Sequence, residues 1–401
     1  MSQFTDVELS ANFQEPAPSE QDSLTEHVAR VLRIEDITSG DAKASYQYRF
    51  RGRLYGDSQE AYDRLAASLR PLGFTPLFRQ EEDRHVVLLV RGVIDPRPSR
   101  TWVNVLMLVL TIASVFFVGL IFNASTVGQA VAYTASLMAI LLAHEFGHYL
   151  AGRYHKTNVT LPYFLPIPWP PFGTMGAFIQ LKEPPKNRRI LLDIGLAGPL
   201  AGLVVTIPIL LLGLSLSTVD PIPAAVPRGM VFTIEGNSLL YLLSKFAVFG
   251  QFLPAPESYG GLPPLLYWAR YFFTGRPLPL GGMDVLLHPV AWAGWAGLLI
   301  TGINLIPAGQ LDGGHLLYVL VGRRRARALL PIILIGLVVL SLISPAWWLM
   351  TVLIFLLGRS HAEPLDQITP LDSRRTLLAV FGLVVFLLVF TPVPLVQVAG
   401  G

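Results

Sequence analysis

Apolar residues run in long unbroken stretches from residue 102 onward, whereas the first hundred residues interleave them with charge at short period. A helix needs about 20 apolar residues to cross a bilayer. Residues 102–122, 127–154, 190–214 and 285–305 meet that need, the fourth continuing after a break as 313–321. The stretches 328–343 and 346–357 are short and read as a helical hairpin about Ser344-Pro345, and 376–393 is the last. Residues 239–252 and 263–273 read as interfacial helices or one more short span. The expectation is seven spans, with eight allowed.

Upstream the period is shorter. From Tyr46 to Tyr55 apolar and polar residues alternate, as in a half-buried strand. Asp57 or Ser58 caps a helix through Leu72 that Gly73 stops. Residues 75–79 and 85–90 read as a strand pair turned at Glu81-Glu82-Asp83, which gives a β-α-β-β order. The chain therefore divides into a disordered acidic tail (1–24), a soluble α/β domain (25–98), a first transmembrane helix (99–126), a membrane core (127–322) and C-terminal transmembrane helices (323–401). Residues 96–100 link the soluble domain to the membrane. That domain is a regulatory or docking module, with a regulator or the substrate as its candidate partner.

Composition agrees. Of 401 residues 52% are hydrophobic and 14% charged, with mean hydropathy +0.52. Soluble domains carry roughly 25% charged residues, so the lipid bilayer must solvate most of this chain. Basic residues cluster at Arg97 and Arg100, at 182–189, at 323–327 and at Arg374-Arg375. All four clusters share one side if the N-terminal domain is cytoplasmic. No basic stripe carries interleaved aromatics, which sets nucleic acid aside as a partner. The absence of cysteine excludes disulfides and thiolate-bound metal. The acidic N-terminus resembles neither a signal peptide nor a transit segment, so a bacterial plasma membrane is expected.

The chemistry concentrates at His144-Glu-Phe-Gly-His148, inside the apolar run 127–154. On a helix this spacing puts two imidazoles on one face, able to share a Zn²⁺, with the glutamate beside them as a general base. Ionisable groups in a bilayer are costly and mark function. A catalytic zinc normally has three protein ligands, and the third must come from another helix at similar depth. The best segment is Asn304-Leu-Ile-Pro-Ala-Gly-Gln-Leu-Asp-Gly-Gly-His315, where Pro307 and Gly309 break the fourth span. Asp312 is the leading candidate and His315 its rival, while Asp312 also reads as a helix N-cap. His155 reads as interfacial and His288 as lying at the far membrane face. Gly195, Gly198 and Gly202 read as helix-packing positions, and Asp193 as a partner of its helix dipole.

These two motifs together resemble the site-2 protease family of intramembrane metalloproteases. The segment Gly173-Thr-Met-Gly-Ala-Phe-Ile-Gln-Leu181 resembles the membrane loop of its EGY-like branch, and no PDZ-like insertion is present. The likeness covers residues 127–322. Together with the hydropathy reading it gives a polytopic α-helical membrane protein of seven to eight transmembrane helices with a re-entrant β-hairpin, and the small cytosolic α/β domain at the N-terminus. It also implies one catalytic Zn²⁺ held by His144, His148 and Asp312, with Glu145 as catalytic base. Asn304 would orient substrate or stabilise an oxyanion. The hairpin residues Gly173, Met175, Gly176, Ala177 and Ile179 would offer an edge to an unwound transmembrane substrate. The implied activity is hydrolysis within transmembrane segments of other proteins. A membrane metal transporter is the alternative, disfavoured because no internal repeat is found and Glu145 would have no use. A catalytically inactive scaffold is disfavoured by the intact His-Glu-His and Asp.

Overall fold

The computed structural model describes residues 18–41, 44–95, 98–225, 228–229, 231–358 and 363–399. Its N-terminal domain opens with α1 (Pro18–Ala29), so residues 18–24 of the expected tail are helical and residues 1–17 lie outside the described residues. The strands β1 (Leu32–Ser39), β2 (Tyr48–Leu54), β3 (Phe74–Glu81) and β4 (Arg84–Arg91) form an antiparallel sheet in the order β1-β2-β4-β3. Between β2 and β3 runs α2 (Ser58–Leu69), capped by Asp57, whose carboxylate accepts from the Gln59 and Glu60 N–H groups. Such a cap contributes about 1 kcal/mol. Leu24 and Val28 of α1 and Leu65 and Leu69 of α2 close over Tyr48, Phe50 and Leu89 of the sheet. β1 adds a strand to the expected order. A register shift between Ile34 and Asp36 breaks its alternation, which hides it from a period-two reading. Of the expected linker, residues 96 and 97 lie outside the described residues.

The membrane part begins with α3 (Thr101–Val118), which continues as a wider π turn to Asn123, followed by α4 (Val127–Tyr154). The strands β5 (Tyr163–Pro166) and β6 (Thr174–Phe178) pair as a hairpin. Next come α5 (Arg188–Ser215), β7 (Thr218–Pro221), β8 (Val231–Glu235), α6 (Leu239–Phe249), α7 (Pro264–Thr274) and β9 (Met283–Leu286). The chain ends with α8 (Pro289–Asn304), α9 (Asp312–Ile343), α10 (Trp348–Leu357), α11 (Ser373–Val389) and β10 (Leu395–Ala399).

Among the described residues four helices are long and apolar enough to cross a membrane: α3 with its extension, α4, α5 and α9. The expected seven or eight spans are not matched by length. α8 has 16 residues because residues 285–286 of the expected span belong to β9, which pairs with β7, and Pro289 then starts the helix. α11 stops at Val389, and the chain beyond it pairs with β8. Gly322, at φ 79° and ψ 168°, kinks α9 beside the arginine cluster. α4, α5 and α8 pack on one another around Leu137, Leu141, Leu203, Trp295 and Leu298.

Two attachments position what surrounds this core. The β5–β6 hairpin is tied to α3, where Asn104 donates to the Leu161 carbonyl at 2.8 Å and Ser114 to the Gly173 carbonyl at 2.6 Å. The N-terminal domain is held by the segment between α10 and α11. Its Leu365 carbonyl accepts from Phe78 N at 2.9 Å, and Asp366 N donates to the Lys186 carbonyl at 2.7 Å. Leu365 and Ile368 pack against the α/β core.

Candidate metal centre

α4 delivers two ligands from one face. Thr126 caps it by accepting from Gln129 N, and residues 127–154 then run as a helix without interruption. The Nε2 atoms of His144 and His148 stand 3.2 Å apart, and both histidines and Glu145 are buried. His148 Nδ1 lies 2.7 Å from the Ile194 carbonyl of α5. A carbonyl can only accept, so Nδ1 carries a proton and the neutral ring keeps its Nε2 lone pair for the centre.

Asp312 comes from the first turn of α9. Its Oδ2 is 3.4 Å from His144 Nε2 and 3.3 Å from His148 Nε2. The break after α8 brings it there. A Cβ on Gly313 would sit 1.9 Å from the Leu305 carbonyl oxygen, so only glycine lets α9 start this close to the preceding turn. The N-cap of α9 is Leu311, and Asp312 is already the first helical residue, which removes its reading as an N-cap. The rival His315 packs at Gly195 and is not part of the ligand group.

Three donor atoms lie within 4.8 Å of one another, and among the described residues no other His, Cys, Asp or Glu group of three does so. Two imidazole lone pairs and a carboxylate repel at these distances unless a cation sits among them. Two nitrogens and one oxygen make the three-protein-ligand set of a catalytic Zn²⁺ site. Beside it, Glu145 Oε2 is buried with no hydrogen-bond partner among the described residues. A buried acceptor left without a donor costs stability. Asn304, the last residue of α8, places Nδ2 3.3 Å from His144 Nε2.

The α5 glycines acquire a sharper role than helix packing alone. A Cβ on Gly198 would lie 2.1 Å from His148 Nε2, and one on Gly202 would lie 3.2 Å from His144 Nδ1. They form the wall that the histidine rings rest on. The small-residue spacing was visible in the sequence, but which side chains it faced was not.

The structure thus brings His144, Glu145, His148, Asn304 and Asp312 together. Among the described residues the hairpin positions make no hydrogen bond or ion pair to them. Gly173, expected at the substrate edge, instead faces α3, where a Cβ would stand 2.7 Å from Val115 Cα. Met175 is exposed, Gly176 has open space beside it at φ 93°, Ala177 pairs with Phe164, and Ile179 follows the end of β6.

Comparison with known proteins agrees with this geometry. Residues 132–343 match the model described as peptidase family M50. The chain is 34% identical over 259 residues to the probable zinc metalloprotease EGY2, chloroplastic, of Arabidopsis thaliana, covering 64% of this chain and 40% of that relative. It is 30% identical over 270 residues to the probable zinc metalloprotease EGY1, chloroplastic, of the same plant, covering 67% and 44%. The probable EGY2 protein of Oryza sativa subsp. japonica matches at 34% over 259 residues, covering 64% and 41%. The chain therefore spans less than half the length of these curated relatives. All three are named as chloroplast proteins, which gives no support to the expected bacterial plasma membrane. No solved structure matches. Since the family match covers more than half of the sequence and includes both halves of the centre, the chain belongs to peptidase family M50.

Proposed function

We propose that this chain is a zinc endopeptidase that hydrolyses peptide bonds in the transmembrane segments of other membrane proteins. One observation carries the reading: His144, His148 and Asp312 converge beside a buried, unpartnered Glu145 oxygen, on helices able to cross a membrane. His144, His148 and Asp312 would hold the ion, which when bound supplies Lewis-acid polarisation of the scissile carbonyl and an acidified water. Glu145 takes the proton of the attacking water and returns it to the leaving amine. The Ile194 carbonyl holds the His148 ring in place, and the Asn304 amide donates to the carbonyl oxygen as charge develops there.

A transmembrane helix shields its own peptide bonds, so the substrate must unwind. Among the described residues β6 pairs with β5 on one edge and with no strand on the other. An extended substrate segment adds at that edge, with Met175, Gly176, Ala177 and Ile179 in contact. In this reading the hairpin is re-entrant, and the shorter helices α8, α10 and α11 bring the number of spans to seven. The basic loops face the cytoplasmic side together with the N-terminal domain. The location is an integral membrane one.

Wild type and Glu145→Gln should be compared for zinc content and for cleavage of a model transmembrane substrate in detergent. The expected result is one zinc per chain in both, with cleavage at least a hundredfold lower in the variant. Cleavage by Glu145→Gln at the wild-type rate, or a zinc-free wild type that cleaves, would sink the proposal.

A further inference from the structure

A polar cavity of about 230 Å³ lies where α2 of the N-terminal domain meets the end of α4 and the start of α5. Most of its polar groups are already engaged. Lys186 Nζ pairs with Asp63 at 2.9 Å, and His155 Nε2 lies 2.9 Å from Asp193 Oδ2. Asn187 accepts from Ile190 N, and Asp366 Oδ1 accepts from Ile368 N and Thr369 N. Three wall groups have no protein hydrogen bond or ion pair among the described residues: the ammonium of exposed Lys156, the hydroxyl of exposed Tyr154, and the hydroxyl of Tyr62, a residue only 4% exposed. An ammonium only donates, and the Tyr62 phenol in the same wall donates readily. The ligand that satisfies both is therefore an acceptor-rich anion.

The backbone supports a special role for Lys156. It sits at φ 57° just past the end of α4, in the left-handed position that Gly usually fills. Thr157 N closes the helix end by donating to the Gly152 carbonyl at 2.9 Å. A lysine at this position is conformationally costly, and its side chain lines the cavity. The level also matters. The cavity lies at the end of one candidate membrane span and the start of another, where headgroup phosphates are found.

We infer that this cavity binds a phosphate group, with Lys156 and Tyr62 as donors. The phosphate belongs to an anionic lipid headgroup or to a soluble phosphate monoester, which present the same chemistry. The inference is independent of the protease reading.

The test uses the purified full chain and two probes. In neutral detergent, thermal unfolding is followed against sn-glycerol 3-phosphate, with sodium chloride at matched ionic strength as control. In nanodiscs, phosphatidylcholine alone is compared with phosphatidylcholine containing phosphatidylglycerol. At least one probe should stabilise the wild type saturably by several degrees. Lys156→Gly and Tyr62→Phe should each weaken the response at least tenfold. Lys156→Gly also relieves the left-handed backbone, so without probe it should melt no lower than wild type. A response to glycerol phosphate alone identifies a soluble ligand, and one to phosphatidylglycerol alone a headgroup; either supports the site. No response to either probe, or an undiminished response in either variant, overturns it.

Discussion

A methyl group at position 198 would stand 2.1 Å from His148 Nε2, inside the space the ring needs. Alanine normally stabilises a helix by about 1 kcal/mol over glycine, so Gly198→Ala should keep its helix content. It should lose at least tenfold in zinc affinity, read by metal analysis after dialysis against graded chelator. Gly202→Ala, with its Cβ 3.2 Å from the His144 ring, should lose less. Asn304→Leu should bind zinc like the wild type but cleave about a hundredfold more slowly, if its amide acts on the substrate oxygen. His144, Glu145 and His148 were legible because their chemistry is written in local spacing on one helix. Asp312 was legible only as the better of two candidates, since its side chain had to be seen turned from the helix end towards the histidines. The contact between Gly198 and His148 was not legible, because it depends on how α4 crosses α5.

Elements were read best where one force fixed both ends. α4 runs from Thr126, a side-chain cap, to the polar end of its apolar run, and its predicted and observed limits coincide. The expected fourth span failed at its start because β9 pairs with β7, a partner more than sixty residues away that apolar content does not reveal. A buried ionic cluster braces the same region. Lys245 Nζ, fully buried on α6, lies 3.2 Å from Glu235 Oε1 and 3.5 Å from Asp284 Oδ1. Burial pushes the Glu235 carboxyl above its ordinary range, and Lys245 opposes that push. Lys245→Met would leave two buried carboxylates without their cation and should cost about 3–5 kcal/mol, seen as a lower unfolding midpoint. At the hairpin, Ile179→Pro removes a backbone donor beside the proposed substrate edge. Cleavage should fall about tenfold with zinc content unchanged; an unaltered rate would remove the strand-addition step.

At the scale of the molecule, the N-terminal domain is docked rather than tethered. Ser58 Oγ and Thr369 Oγ1 lie 2.7 Å apart across the junction, and the chain has no cysteine of its own. Ser58→Cys with Thr369→Cys should therefore form a single disulfide on oxidation, visible as a shift on a non-reducing gel. If the domain stays docked during turnover, the oxidised protein should cleave within about twofold of the reduced one. The division into a soluble and a membrane part followed from charge and hydropathy, but this docking did not. Its contacts join residues about three hundred positions apart, in part through backbone groups that any sequence supplies, as between Phe78 and Leu365. The central claim, that one ion is held by His144, His148 and Asp312, is tested most directly by zinc X-ray absorption on Asp312→Cys. The account predicts a first shell that gains one sulfur at about 2.3 Å beside the histidine nitrogens. Bound zinc that keeps a first shell of nitrogen and oxygen alone would contradict it.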